Sequence, residues 1–86
     1  MTDTIQSPME RIELLALELR EHYQQAENCE LRIAAKLMLV SLAQFRQWGG
    51  PNWKSLVQEY VNIALHHPEK FDSILHSNRS VPKESL

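Results

Sequence analysis

The sequence predicts an all-α fold, a small bundle of three main helices and a short fourth helix, on three observations. Apolar residues recur along most of the chain at the three- and four-residue spacing of amphipathic helices. A helix-capping signal, SPME, occupies residues 7–10, and a helix-terminating signal, GGP, occupies residues 49–51. The expected helices cover residues 8–26, 29–48, 52–66 and 68–76. We expect dimerisation to complete the bundle.

The length of 86 residues predicts a single helical domain over residues 8–76, with a flexible leader at 1–7 and a disordered tail at 77–86. An apolar content of 43% is too high for a chain that is disordered throughout. The formal net charge of −2 gives no general attraction to the phosphates of nucleic acids. Composition therefore favours a small globular domain.

Cysteine use and hydropathy predict a cytoplasmic protein that does not enter a membrane. The single cysteine, Cys29, excludes an internal disulfide and a cysteine-clustered zinc site. The first residues lack the basic segment followed by an apolar segment that is typical of a secretion signal. Charged residues also interrupt the longest apolar run before it reaches the roughly 20 residues of a membrane span.

Helix 1 is expected to begin at Pro8, with Ser7 as N-cap and Glu10 completing a capping box. Its main apolar face comprises Met9, Ile12, Leu15, Ala16, Leu19, Tyr23 and Ala26. Polar residues then interrupt the apolar pattern over 24–30, where Asn28 is the best N-cap for a second helix. One continuous helix over residues 8–48 is the alternative, which would need an intermolecular coiled coil.

Helix 2 is predicted to carry two apolar stripes on nearly opposite sides. The first stripe comprises Leu31, Ala34, Ala35, Met38, Leu42 and Phe45, and we expect helices 1 and 3 to cover it. The second comprises Ile33, Leu37, Val40 and Trp48. With Leu14 and Leu17 of helix 1, the second stripe is the predicted interface with another copy. Only a narrow strip holding Arg32, Lys36 and Gln47 is left for water.

The Gly49-Gly50-Pro51 corner separates helix 2 from helix 3. Trp48 and Trp53 flank this corner, and we expect packing of their indoles to fix the angle between the two helices. The apolar face of helix 3 comprises Trp53, Leu56, Val57, Tyr60, Ile63 and Ala64. Helix 4 has a short apolar edge made of Phe71, Ile74 and Leu75.

Potential metal ligands and carboxylate pairs do not predict a catalytic or cofactor site. The histidines His66 and His67 are adjacent, so their side chains point about 100° apart on a helix and do not converge. The carboxylate pairs with E-x-x-E or E-x-x-D spacing are Glu10/Glu13, Glu18/Glu21, Glu27/Glu30 and Glu69/Asp72. Glutamates are common on exposed helix faces, and we expect these pairs to be solvated. The sequence therefore predicts a protein that is not an enzyme and has no metal or cofactor.

The order of these carboxylate pairs resembles that of the all-helical MazG-type nucleotide pyrophosphatases. The resemblance is limited to the residues of these pairs. One additional helix separates Glu27/Glu30 from Glu69/Asp72 in this chain. The resemblance implies a magnesium-dependent nucleotide hydrolase, with Glu18/Glu21 facing their copies across a dimer, as the second alternative function.

The leading hypothesis is a non-enzymatic interaction or regulatory adaptor module that forms a homodimer through helix 2 and binds a further protein. The first alternative is a DNA-associated transcriptional regulator, because helix 2, the glycine corner and helix 3 have the order of a helix-turn-helix. Its possible nucleic-acid contacts are Asn52, Lys54, Ser55 and Gln58.

Overall fold

The computed structural model describes residues 7–80, and within them it contains four α-helices, one 3₁₀ turn and no strand. The helices are α1 (Pro8–His22), α2 (Cys29–Trp48), α3 (Trp53–His66) and α4 (Pro68–Ser80), with the 3₁₀ turn at Gly50–Asn52. This arrangement confirms the predicted all-α class. The rest of the predicted leader and tail, residues 1–6 and 81–86, lies outside the described residues.

The start of α1 is the predicted capping box. The Ser7 N–H donates to Glu10 Oε1 at 2.8 Å, and the Glu10 N–H donates to Ser7 Oγ at 3.1 Å. These two bonds satisfy backbone donors that have no partner within the helix. Pro8, at the first helical position, has no N–H to satisfy and already has a helical φ.

Two helices, not one continuous helix, occupy residues 8–48, and α1 ends four residues earlier than predicted. Asn28 has φ 55° and ψ 41°, a left-handed conformation that reverses the chain direction before α2. Asn28 is the N-cap residue of α2, as predicted, but its side chain makes no capping hydrogen bond. The Cys29 thiol donates instead to the Arg20 carbonyl in the last turn of α1, at an S···O distance of 3.6 Å. This contact uses a carbonyl that the end of α1 leaves without a helical partner.

Close backbone approach, rather than indole packing, fixes the corner between α2 and α3. A Cβ atom on Gly49 would lie 2.6 Å from the Phe45 carbonyl oxygen and 2.7 Å from the Trp53 Cβ. Gly50 has a φ of 77°, which residues with side chains rarely adopt. Trp48 is 74% exposed, so the expected packing of the two indoles was wrong.

The four helices contact one another in a closed cycle, in which α1 packs on α2, α2 on α3, α3 on α4, and α4 on α1. The rings of Phe45 on α2 and Tyr60 on α3 are 6.0 Å apart between centroids. Among the apolar residues that the structure describes, only Cys29 and Ile63 are buried, at 5% and 8% exposure. The interior of this chain is therefore small for its number of apolar side chains.

Helix α4 is longer than the sequence predicted, because residues 77–80 are helical rather than part of a disordered tail. The Arg79 guanidinium binds the Glu13 carboxylate of α1 through two nitrogens, with Nε–Oε2 and Nη2–Oε2 distances of 2.9 and 2.6 Å. Within α4, Asn78 Nδ2 donates to the Ile74 carbonyl at 2.8 Å. The ion pair joins the last turn of α4 to α1, which sequence periodicity does not reveal.

The ion pair also changes the titration of both partners. Hydrogen bonds from Arg79 hold the pKa of Glu13 below its usual value, and the same contact raises the pKa of Arg79. A carboxyl group with a lowered pKa in the folded state stabilises the fold above its unfolded-state pKa. This contribution is lost as the pH falls through the lowered pKa of the folded state.

We predict that Gly50→Ala destabilises the fold by about 1–2 kcal/mol, because in the left-handed region a Cβ atom lies too close to the following carbonyl oxygen. Urea unfolding followed by circular dichroism measures the change. Gly50→Asn should cost less than Gly50→Ala, since asparagine tolerates positive φ. Equal stability of Gly50→Ala and the unmodified protein would contradict the conformation at this corner.

We predict that Glu13→Gln lowers the melting temperature at neutral pH, because the amide carries no charge to pair with Arg79. The difference from the unmodified protein should shrink below about pH 4.3, the ordinary pKa of glutamate, and disappear where Glu13 itself is protonated. Melting curves at a series of pH values test this. Glu18→Gln is the control on the same helix, since Glu18 makes no ion pair within residues 7–80. A loss for Glu13→Gln that stays constant with pH would count against the ion pair.

Candidate functional site

The six residues of the predicted interface differ in their exposure in the structure. Ile33 and Leu37 of α2 are half-buried, because α1 packs on their side of the helix. Val40 and Trp48 are exposed, as an interface between copies requires. The remaining two predicted interface residues are Leu14 and Leu17 of α1, and each is more than one-third exposed.

The stripe that helices 1 and 3 were expected to cover is open over its first half. Leu31 is 70% exposed and Met38 is 53% exposed, so the expected burial of these two residues was wrong. Leu42 and Phe45, nearer the corner, are half-buried. The reason is the rotation of α2, which turns Ile33 towards α1 and leaves the opposite side of its first three turns without a covering helix.

This open surface of α2, the outer stripe, consists of four residues that fall within about 100° of the helix circumference. They are Leu31, Ala35, Met38 and Leu39, all of them exposed. Large leucine and methionine side chains dominate the surface, and two helical turns separate its ends. A contiguous apolar surface of this kind is typical of protein interaction sites.

A second concave surface, the α1–α2 groove, lies between the end of α1 and the first half of α2. Its volume is about 460 Å³. The apolar lining residues are Leu19, Tyr23, Ala26, Cys29, Ile33, Leu37 and Val40. Three residues of the predicted interface, all on α2, therefore line this groove.

The two remaining lining residues of the groove, Arg32 and Lys36, are basic. They lie one helical turn apart on α2, and both are exposed. Neither makes an ion pair or a hydrogen bond to another residue in the part of the chain that the structure describes. The sequence placed these residues on a solvated strip. Their i, i+4 spacing could have suggested a pair, but only the position of α1 shows that they border a groove.

The possible nucleic-acid contacts are together at the start of α3. The four predicted residues, Asn52, Lys54, Ser55 and Gln58, are all exposed. The Lys54 amine lies 5.9 Å from the centroid of the neighbouring Trp53 ring, where a cation is attracted to an aromatic face. No further geometric feature distinguishes this surface, and DNA binding stays a prediction.

The described carboxylates and histidines do not converge. No group of three or more histidine, cysteine, aspartate or glutamate side chains within residues 7–80 could hold a metal ion. Of the carboxylate pairs, Glu10 is part of the capping box and Glu13 binds Arg79. The magnesium-dependent hydrolase therefore stays a prediction that would need carboxylates from a second chain.

None of the described helices combines the length and the apolar character needed to cross a membrane. Comparison of the chain with protein-family models, with curated proteins and with solved structures found no match. Within residues 7–80, the outer stripe and the α1–α2 groove are the surfaces whose geometry bears on function.

We predict that the Cys29 thiol reacts at least about tenfold more slowly with a disulfide reagent in the folded protein than in urea. The thiol is buried and donates to the Arg20 carbonyl, so labelling requires α1 and α2 to separate locally. The rate of reaction with 5,5′-dithiobis(2-nitrobenzoate) measures this protection. Gln44→Cys in a Cys29→Ala background is an exposed control and should react quickly in both conditions. Equal folded and unfolded rates for Cys29 would contradict its burial.

Proposed function

We propose that this chain is a non-enzymatic interaction and regulatory adaptor module that forms a homodimer through α2. The observation that carries the proposal is the exposure of the outer stripe, given that very few apolar side chains within residues 7–80 are buried. A second copy of α2 offers an identical apolar surface. Two-fold symmetric dimers use the same surface on both subunits, and they are the commonest oligomers of soluble proteins.

The free energy available from covering the outer stripe favours association. Full burial of a leucine or methionine contributes about 1.5–3 kcal/mol. Leu31, Met38 and Leu39 are 53–70% exposed and therefore forgo roughly 3–6 kcal/mol per chain. The total stability of a folded domain is only about 5–15 kcal/mol. Pairing the stripe with a copy of itself therefore changes the stability of this small domain substantially.

The spacing of the outer stripe suits helix-on-helix packing. Leu31, Ala35, Met38 and the half-buried Leu42 follow one another at intervals of four, three and four residues, the pattern of a coiled-coil seam. The small Ala35 side chain allows two α2 helices to approach closely near the middle of the stripe. We propose that paired α2 helices form the centre of the dimer.

The remaining parts of the proposal rest on the cysteine content and on further exposed apolar side chains. A single cysteine that stays a thiol supports the expected cytoplasmic location. An adaptor role, in which the dimer presents surfaces to another protein, is supported by the apolar side chains that remain exposed outside the outer stripe, including Trp48 and Tyr60. Such a role requires no cofactor.

We predict that the protein is a dimer at micromolar concentration and that Leu31→Glu converts it into a monomer. A glutamate on the outer stripe would bring like charges together across a two-fold interface. The mass is measured by light scattering or sedimentation equilibrium.

Leu65→Glu is the matched control, because Leu65 on α3 is 69% exposed and lies outside the outer stripe. This variant should remain a dimer. A monomeric unmodified protein would refute self-association, and dissociation by Leu65→Glu alone would move the interface to α3. Circular dichroism of both variants verifies that they remain folded.

A further inference from the structure

We propose that the α1–α2 groove is a binding site for a single-chain fatty carboxylate. The aliphatic chain lies along the apolar wall of the groove, and the carboxylate binds Arg32 and Lys36 at its edge. This proposal is independent of the dimer, because the groove and the outer stripe lie on different sides of α2.

The lining of the groove fits an aliphatic chain. Seven of its nine lining residues are apolar or aromatic, and they come from both helices and the connecting turn. A volume of about 460 Å³ lies within the roughly 300–1,000 Å³ range of small-molecule sites. The groove has two walls, because Leu19 of α1 and Tyr23, which follows α1 directly, lie opposite Ile33 and Leu37 of α2.

The length of the groove sets the length of the ligand. Its α2 wall extends from Cys29 to Val40, which is about 16 Å at a rise of 1.5 Å per residue. Each carbon–carbon bond of about 1.5 Å advances an extended aliphatic chain by about 1.3 Å. The wall therefore accommodates a chain of at most about twelve carbons, counted from its Cys29 end, towards which long helical side chains such as those of Arg32 and Lys36 point. A peptide helix about 10 Å in diameter would occupy roughly 1,250 Å³ over the same 16 Å, more than twice the volume of the groove.

The charge at the edge of the groove favours an anionic ligand. Arg32 and Lys36 are the only charged lining residues of the groove, and neither has an acidic partner within residues 7–80. A carboxylate only accepts hydrogen bonds, whereas guanidinium and ammonium groups only donate them. Such charge-assisted bonds are shorter and stronger than those between neutral groups. An apolar chain with one terminal carboxylate therefore complements both the wall and the edge.

Isothermal titration calorimetry with dodecanoate, below its critical micelle concentration, tests the proposal. We expect one dodecanoate per chain, and decanoate should bind roughly 15-fold more weakly because burial of each methylene contributes a factor of about four. The double variant Arg32→Gln/Lys36→Gln should weaken dodecanoate binding at least about tenfold. Arg46→Gln removes a positive charge from the last turn of α2, outside the groove, and should leave the affinity unchanged.

The labelling rate of the Cys29 thiol reports whether the ligand binds in the groove. Because Cys29 lines the groove, saturating dodecanoate should slow its labelling further in the unmodified protein but not in the double variant. The double variant should keep the mass of the unmodified protein, and Leu31→Glu should keep its affinity for dodecanoate. Loss of the dimer and loss of ligand binding are therefore separate results.

Several results would overturn the proposal. These are the absence of dodecanoate binding, equal affinity for dodecanol or dodecylamine, and equal weakening by Arg46→Gln and by the double variant. Association with vesicles of anionic phospholipid, without binding of monomeric dodecanoate, would assign the basic pair to a membrane surface instead.

Discussion

The structure depends on one imbalance, which is that α2 carries apolar side chains around most of its circumference while its neighbours cover only part of it. Helix α1 packs on one side of its first half, and α3 packs near the corner at its end. The side chains of the outer stripe remain in water. The two surfaces for which we propose partners both follow from this imbalance, since the stripe is the uncovered side of α2 and the groove is the incompletely filled contact between α2 and α1.

Local signals in the sequence were sufficient to predict the fold class and several helix ends. Ser7 and Glu10 form the capping box that their spacing indicated, and α2 has the predicted bounds. The glycine corner also lies where it was expected, with Gly50 in the left-handed region. Each of these features is determined by residues within one or two helical turns of one another, so a single sequence contains the necessary information.

Features that depend on the relative placement of helices could not be predicted. A helical wheel shows that α2 has two apolar stripes, but it does not show which of them faces α1. The turn between α1 and α2 determines which stripe faces α1. There, the left-handed Asn28 and the contact of Cys29 with Arg20 set the rotation of α2. The groove, with Arg32 at its edge, is a consequence of the same rotation. Whether Ile33 or Leu31 faces α1 therefore depends on how the two helices pack, which the sequence of α2 alone does not determine.

The contact between Glu13 and Arg79 has a consequence for the order in which the chain folds. It joins residues 66 positions apart and belongs to the α1–α4 contact, which among the described helices is the one contact that does not join successive helices, so it raises the contact order. Closing so large a loop is entropically costly, and an exposed ion pair offsets little of that cost. We therefore expect the contacts between successive helices to form before α4 closes the cycle onto α1. We expect the same contact between α4 and α1 to open first in the native ensemble.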